Sequence, residues 1–259
     1  MLLSLRTKAI ELTLDYLKSL ELPGGSIAAW RGGQSYPEVT GYSIPTLFDL
    51  GETTFALRCS DWLLKTQKPD GSFVGLDGVP RTFDTAACME GLLRTFEETG
   101  DSAYSTAATS AAAFIATMRR PDGLLRISPE TYDTHLYLLR VMGLMGYEIN
   151  IVPEFNHKVR THYLAYALEG LLLLGKDSVV RQELQSLTAI YDDEIPYYTD
   201  GSGGMDVSAT AQIGILCHKT GLPYHAYLQS LNHELIQFSW AAKFYLDFLR
   251  LVNDGLVGY

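Results

Sequence analysis

A repeat of about 50 residues constrains the fold of this chain more than any other sequence feature. The triplet Pro-Asp-Gly at 69–71 recurs at 121–123, and the triplet aromatic-Asp-Thr at 83–85 recurs at 132–134. In each copy a helical segment precedes the Pro-Asp-Gly turn, and a second helical segment follows the Asp-Thr pair. Gly71 and Gly123 suit a turn position with positive φ. The chain is therefore predicted to consist of repeated helical hairpins.

The two helices of each hairpin differ in composition. The second helix is apolar on nearly every side, as in AACMEGLLRTF (86–96) and YLAYALEGLLLLG (163–175). A helix of that kind is buried on every side, whereas the first helix is amphipathic. The inner helices are predicted to start near Glu38, Asp84, Asp133, His162, Asp206 and Ser239. The outer helices are predicted at 2–21, 54–68, 102–119, 177–191 and 224–236.

These helices predict an all-α fold in which a ring of outer helices surrounds a ring of inner helices. A chain of 259 residues can bury about three quarters of its unfolded surface, so residues 1–259 are predicted to form one such domain. The interval from Asp133 to His162 is too short for an outer and an inner helix together. The segment 147–160 is therefore predicted to be a shortened connection. FVGLDGVPRTF at 73–83 predicts a short β-hairpin at the rim.

Several segments resemble proteins with the α/α toroid fold, a ring of six helical hairpins. They are SYPEVTGYSIPTLFDLGE (35–52), DWLLKTQKPDGSF (61–73), TFDTAACMEGLLRTFEETGD (82–101), THYLAYALEGLLLLGKD (161–177) and SWAAKFYLDFL (239–249). The set of toroid proteins that they resemble is associated with polysaccharide-biosynthesis gene neighbourhoods. The stretch from Gln67 to Phe73 is also similar to the repeat motif of the squalene cyclases, with Phe73 in place of tryptophan. These resemblances imply a toroid fold.

Toroid proteins fall into two large groups. One contains terpenoid cyclases and protein prenyltransferases. The other contains unsaturated glucuronyl hydrolases, N-acylglucosamine 2-epimerases and the helical domain of glucuronyl C5-epimerases. The first group would imply an Asp-x-Asp-Asp acid, or zinc bound by Asp, Cys and His. The chain has no Asp-x-Asp-Asp motif, and Asp84 and Cys88 are four residues apart rather than two. We therefore expect the carbohydrate group, with no metal site and no cofactor.

Acidic and aromatic residues recur where the predicted inner helices begin. Because the inner helices of a ring run parallel, their N-termini meet at one mouth, where the helix dipoles favour an anionic ligand such as a uronate. The candidate catalytic residues are Glu38, Asp84, Asp133, His162 and Asp206. The candidate substrate-binding residues are Tyr36, Tyr42, Arg81, Tyr132, His135, Tyr163, Trp240 and Lys243.

The candidate residues fit more than one reaction on a uronate-containing or other oligosaccharide or polysaccharide. In a glycoside hydrolase, Asp84 or Asp133 would act as the acid or the base. In an epimerase or lyase, a tyrosine or histidine would remove the proton next to the carboxylate, and Arg81 or Lys243 would hold that carboxylate. A non-catalytic glycan-binding or scaffold protein and a terpenoid cyclase-like protein remain the alternatives.

Each candidate also fits a purely structural role. Asp84, Asp133 and Asp206 precede apolar helices and suit N-caps. His162 fits a core histidine with its hydrogen bonds satisfied, and Lys243 fits an ion pair with Asp247. Two glycine-rich segments, 22–35 and 199–205, precede inner helices and fit either lids at the mouth or simple connections.

The net charge and the cysteine content limit the possible partners and the cellular compartment. The net charge of −10 lacks the positive surface expected of a protein that binds nucleic acid or an anionic membrane. Cys59, Cys88 and Cys217 are far apart and are predicted to be buried free thiols. The N-terminal stretch reads as an amphipathic helix rather than a signal peptide. We expect a cytoplasmic protein whose partner is a small-molecule or oligosaccharide substrate.

Overall fold

The computed structural model describes residues 2–148 and 158–254. Within those ranges the chain forms eleven α-helices and one 3-10 turn at His233–Leu235. The helices are α1 (Leu2–Lys18), α2 (Pro37–Asp49), α3 (Thr53–Thr66), α4 (Thr82–Thr99), α5 (Ser102–Thr117), α6 (Leu138–Leu144), α7 (Thr161–Leu173), α8 (Asp177–Thr188), α9 (Val207–Thr220), α10 (His225–Ser230) and α11 (Ser239–Asp254). None of the helices in this described part is long and apolar enough to span a membrane.

Six helices form a closed inner ring. Each of α2, α4, α6, α7, α9 and α11 packs against the next, and α11 packs back against α2. The amphipathic helices lie outside this ring: α3 packs on α2 and α4, α8 packs on α7 and α9, and α1 packs on α11. The predicted all-α arrangement of inner and outer helices is therefore confirmed.

Glycines allow neighbouring inner helices to approach closely. A Cβ atom at Gly91 of α4 would lie 2.4 Å from the carbonyl oxygen of Gly41 in α2. In the same way, a Cβ atom at Gly170 of α7 would lie 2.1 Å from the carbonyl oxygen of Leu139 in α6. Since backbone atoms cannot move aside cheaply, these seams of the ring depend on residues without a side chain.

The repeated Pro-Asp-Gly turns have the same geometry. Gly71 and Gly123 both have φ of 87°, as predicted. In the first turn, Asp70 Oδ1 accepts a hydrogen bond from the backbone N–H of Ser72, and in the second, Asp122 Oδ1 accepts one from Leu124. Each turn therefore ends its outer helix and directs the chain toward the mouth of the ring in the same way.

Two helix predictions need correction. The third inner helix begins at Leu138 rather than near Asp133, because the carbonyl oxygen of Asp133 accepts a hydrogen bond from Ile127 N and so belongs to the preceding loop. The outer helix predicted at 224–236 is split into α10 and a 3-10 turn. The side chain of Asn232 accepts a hydrogen bond from Glu234 N, and this local bond starts a new turn instead of continuing the helix.

The β-hairpin predicted at 73–83 is wrong. Val74 and Pro80 form a single isolated bridge, and Gly75 N donates to Val79 O to close a tight turn. Pro80 has no N–H with which to continue a ladder, so the bridge does not extend into a hairpin. The described residues contain no β-strand. The shortened connection predicted at 147–160 lies mostly outside the described residues.

Candidate active site

A cleft of about 420 Å³ opens where the inner helices begin. Of the residues predicted at the mouth, the structure places Tyr36, Glu38, Arg81, Asp84, His162, Tyr163 and Trp240 in this cleft. The remaining lining residues are Trp30, Gly75, Leu76, Asp77, Phe83, Tyr137, Arg160 and Tyr166. The lining comes from the loops before α2, α4, α6 and α7 and from the first two turns of α2, α4, α7 and α11. The parallel inner helices therefore do bring distant segments to one mouth.

Glu38 and Asp84 form a pair of carboxyls in this cleft. They lie in the first turns of α2 and α4, the two neighbouring inner helices joined by Gly41 and Gly91. Tyr36 Oη donates a hydrogen bond to Glu38 Oε2. Asp84 is 5% exposed, and its Oδ2 atom has no hydrogen-bond partner within the protein. Asp84 does not cap α4, because the residue before the helix is Arg81 and no side-chain cap forms there.

Burial favours the neutral forms of both carboxyls. It raises the pKa of Glu38 to about 7, against the opposing effects of the hydrogen bond from Tyr36 and the charge of Arg140. Burial also raises the pKa of Asp84 well above its usual value, and the charge of Glu38 raises it further. One proton can thus remain on the pair near neutral pH, which suits a carboxyl group that donates a proton to a substrate.

Two arginines line the cleft, and they differ in their partners. Arg81 forms an ion pair with Asp77. Arg160 instead donates a hydrogen bond to Tyr163 Oη at 3.0 Å, and its guanidinium group lies over the rings of Tyr197 and Tyr163, 4.4 and 5.0 Å from their centroids. Its Nε atom is buried without an acceptor, and no carboxylate of the described residues pairs with it. Arg160 is therefore positioned to bind an anionic group of a ligand.

His162 is a neutral residue of the cleft floor. Its Nδ1 atom lies 2.5 Å from Gln212 Oε1, and burial lowers its pKa to about 4. With Gln212 Oε1 as the acceptor, Nδ1 carries the proton and Nε2 keeps a free lone pair. His162 can therefore accept a hydrogen bond at neutral pH.

Aromatic side chains provide flat surfaces around these polar groups. Trp30 is 41% exposed at the edge of the cleft. Trp240 stacks on Phe238, with ring centroids 4.5 Å apart and ring planes within 9° of parallel. Exposed indole faces of this kind suit the apolar faces of sugar rings.

Six predicted site residues do not line this cleft. Tyr132 and Asp133 lie on an exposed loop, because α6 starts after them. His135 stacks on Tyr137, with ring centroids 4.2 Å apart, and so only supports a lining residue. Asp206 caps α9 by accepting hydrogen bonds from Ser208 N and Ala209 N.

Tyr42 and Lys243 lie deeper in the ring. They line a second cavity of about 210 Å³ formed by the later turns of the inner helices. Lys243 forms an ion pair with Asp247 at 2.8 Å, the structural role that the sequence offered as the alternative to substrate binding. Tyr42 lies four residues after Glu38 and Lys243 lies three residues after Trp240, so both are about one helical turn deeper in the ring than the cleft lining at which they were predicted.

Sequence reasoning missed Arg160, Trp30 and Tyr137 as lining residues. Arg160 directly precedes α7, and a basic residue just before an apolar helix was a usable signal. Trp30 lies in a glycine-rich loop, and nothing in its local sequence indicates that it faces the cleft. Among the described residues, no group of three histidine, cysteine or acidic side chains is placed to hold a metal ion.

No protein-family model and no curated protein matches this sequence. Solved structures match its fold. An α-amylase from Clostridium perfringens has a TM-score of 0.70 at 11% identity, covering 93% of this chain and 97% of the amylase. The family 8 glycosyl hydrolase Cel10, an endoglucanase from Klebsiella pneumoniae, has a TM-score of 0.66 at 11% identity, covering 94% of this chain and 99% of the enzyme. An unsaturated glucuronyl hydrolase specific for heparin has a TM-score of 0.64 at 12% identity, covering 97% of this chain and 96% of the hydrolase.

This chain has the α/α toroid fold. At such low identity the likeness concerns the fold and not the activity, which depends on the residues of the site. The toroid explains why the residues that start the inner helices share one mouth, and it is a fold that carbohydrate-active hydrolases use.

Proposed function

We propose that this toroid is an enzyme that hydrolyses glycosidic bonds of a uronate-containing oligosaccharide or polysaccharide. The observation that carries the proposal is the Glu38 and Asp84 pair, placed by neighbouring helices in an open cleft. Glycoside hydrolysis commonly uses two carboxyl groups that flank the scissile bond, one as acid and one as base or nucleophile. A purely structural role would leave the unpartnered Oδ2 atom of Asp84 unexplained.

The two carboxyls take different roles in this proposal. Asp84 is the general acid, because burial keeps its proton in place at neutral pH. It donates that proton to the glycosidic oxygen as the bond to the anomeric carbon breaks. Glu38, the carboxyl closer to ionising, assists the attack of water on the anomeric carbon and takes up a proton from that water. Tyr36 holds Glu38 in position through its hydrogen bond.

The remaining lining residues suit substrate binding rather than proton transfer. Arg160 would bind the uronate carboxylate, since its guanidinium has no acidic partner in the described residues. Trp30 and Trp240 would stack on the sugar rings. The proposal also takes residues 1–259 as one domain that works in the cytoplasm without a cofactor, in keeping with its buried free cysteines.

A uronate lyase or epimerase is the second candidate, and His162 is the observation that favours it. Its imidazole lines the cleft in the neutral form with a lone pair on Nε2, which could accept the proton next to a carboxylate held by Arg160, as a weak base with a pKa of about 4. Lyase products contain a new carbon–carbon double bond, whereas hydrolysis gives a new reducing end without one. The two reactions are therefore separated by absorbance of the products.

The deciding experiment is a panel of uronate-containing oligosaccharides tested for thermal shift, new reducing ends and new double bonds. In the hydrolase, Asp84→Asn and Glu38→Gln should each lower turnover by at least about 100-fold, the usual contribution of a general acid or base. Both melting temperatures should stay within a few degrees of wild type near pH 7, because burial keeps Asp84 protonated there and Glu38 is only about half ionised.

Asp133→Asn is the matched control, since Asp133 is exposed and outside the cleft, and it should leave turnover unchanged. Full turnover in either cleft variant would contradict the proposal. So would a panel in which no oligosaccharide produces a shift or a product.

A further inference from the structure

We infer that the enzyme acts at a chain end, because one side of the cleft is closed immediately beside Asp84. This inference rests on the proposed function and specifies which bond of a glycan the site can reach. An enzyme that cuts within a chain needs a groove open on both sides of its carboxyls. The turn at 75–77 occupies one of those sides.

The turn lies directly against the carboxyl. A Cβ atom at Gly75 would be 3.3 Å from Asp84 Oδ2 and 3.2 Å from Arg81 Cγ. Since nonbonded heavy atoms already touch at about 3.5–4 Å, a sugar ring cannot fit between this turn and Asp84. The substrate can therefore extend from Asp84 only away from the turn, toward Arg160 and Tyr163.

The turn is held firmly in place. Phe73, two residues before the turn, is 1% exposed, and its N–H donates to Thr85 Oγ1 of α4 at 3.0 Å. Gly75 N donates to Val79 O at 2.9 Å, and Arg81 N donates to Phe73 O at 3.1 Å. The ion pair between Arg81 and Asp77 closes the turn from the cleft side. Moving the turn aside would break several of these contacts together.

Neighbouring segments extend the turn into a wall. Gln34 Nε2 donates to Leu76 O at 3.0 Å and joins the glycine-rich 22–35 loop to the turn. That loop is joined in turn to the start of α11, where Ser239 N donates to Ala29 O at 2.9 Å and Trp30 bridges Phe238. The wall therefore runs from Phe238 past Leu76 to Arg81, and the 22–35 loop is part of it.

The inference is tested by identifying the cleavage products of oligosaccharides and by blocking one end of the oligosaccharide at a time. The probes are hexasaccharides of alternating glucuronate and N-acetylglucosamine, unmodified, with a bulky fluorophore on the reducing end, or with a bulky ether on the non-reducing end. A chain-end enzyme releases only terminal monosaccharide or disaccharide at early times, and one of the two blocking groups abolishes cleavage. Early fragments from the middle of the chain, or cleavage of both blocked probes, would overturn the inference.

A binding measurement keeps the inference separate from the proposed reaction. Asp84→Asn protein is titrated with the same three probes, and tryptophan fluorescence reports binding because Trp30 and Trp240 line the cleft. Binding of the unmodified probe and of only one blocked probe supports a closed side even if no hydrolysis occurs, in which case the proposed reaction alone fails. Equal binding of all three probes, or binding of none, overturns the inference.

The wall itself is tested by opening it. Gln34→Ala removes the side-chain hydrogen bond to Leu76 and releases the 22–35 loop, while the turn keeps its other contacts. The gap between loop and turn should raise cleavage of the excluded probe by about fivefold, the factor that corresponds to one hydrogen bond of about 1 kcal/mol. Gln182→Ala, at an exposed position of the outer helix α8, is the matched control and should change nothing. If the two variants cleave the excluded probe equally slowly, the wall does not select chain ends.

Discussion

Glu38 and Asp84 illustrate how a fold sets the chemistry of a residue. In water both side chains are ordinary acids, but at the mouth of the ring burial raises the pKa of both, and the charge of Glu38 raises the pKa of Asp84 further. The proximity of these two carboxyls depends on the contact between α2 and α4. Their titration can therefore be tested as a property of the folded protein.

Stability should depend on pH through Glu38. Its pKa rises from 4.5 to about 7 on folding, so the stability that its protonated form contributes is present below pH 4.5 and is lost as the pH rises through 7. Glu38→Gln stays neutral at every pH. The melting temperature of this variant relative to wild type should therefore increase between pH 5 and pH 8, as thermal denaturation across that range can show.

The comparison between variant and wild type also removes the contribution of His162. The lowered pKa of that residue acts in the opposite direction, because its stabilising effect is lost as the pH falls toward about 4. Glu97→Gln, at an exposed position of α4, is the control and should follow the wild-type curve. Parallel curves for Glu38→Gln and wild type would show that folding does not raise the pKa of Glu38.

Arg160 should determine the preference for acidic sugars. Arg160→Ala should raise KM for a uronate-containing oligosaccharide by about 10- to 100-fold, as expected for a lost hydrogen bond to a charged group. KM for the same oligosaccharide with its carboxylates reduced to alcohols should hardly change. The matched control is Arg126→Ala, since Arg126 also lies over a tyrosine ring, that of Tyr132, but does not line the cleft. An equal effect of Arg160→Ala on both substrates would exclude a carboxylate site.

At the scale of single elements, the start of a helix can serve stability, catalysis or both. Asp206 precedes α9 just as Asp84 lies in the first turn of α4, and the sequence gives both residues the same interpretation. The structure separates them. Asp206 accepts two backbone hydrogen bonds as the N-cap of α9, whereas Asp84 lies three positions after the N-cap of α4 and lines the cleft.

Substitutions at Asp206 should behave as those of a helix cap. Asp206→Ala should lower the free energy of unfolding by about 1 kcal/mol, whereas Asp206→Ser should restore the cap and keep turnover. Chemical denaturation and a turnover assay measure the two effects. Asp101→Ala removes the equivalent cap of α5, far along the outer ring, and is the reference for the expected loss. Loss of turnover in a stable Asp206→Ser protein would instead indicate a catalytic role.

At the scale of the whole molecule, buried ion pairs as well as apolar contacts connect the inner helices of the ring. Arg140 of α6 is 7% exposed and forms ion pairs with Glu90 of α4 at 2.7 Å and Glu169 of α7 at 2.9 Å. The shortest inner helix is thereby connected to both of its neighbours. Removing a buried arginine while its two carboxylate partners remain is strongly destabilising.

Arg140→Met should lower the free energy of unfolding by about 3–5 kcal/mol, because two carboxylates would remain in a poorly solvated site without their counter-ion. Arg94→Met is the matched control. Arg94 also pairs with two carboxylates but is 29% exposed, so its loss should cost less than about 1 kcal/mol. Equal losses in the two variants, measured by denaturant unfolding, would show that the Arg140 contacts do not hold the ring together.

The sequence by itself determined which helices are inner and which are outer, where most of them start, and where the Pro-Asp-Gly turns lie. These properties are local, because a helix that is buried on all sides must be apolar on all sides wherever it lies. Only the tertiary structure decided which side chains share the cleft. It separated Tyr132 and Asp133 from the mouth by starting α6 late, and it brought Trp30 and Arg160 into the mouth from loops. The pairing of Glu38 with Asp84, the burial that raises both pKa values and the wall beside them depend on contacts between residues far apart in the chain, which no local pattern specifies.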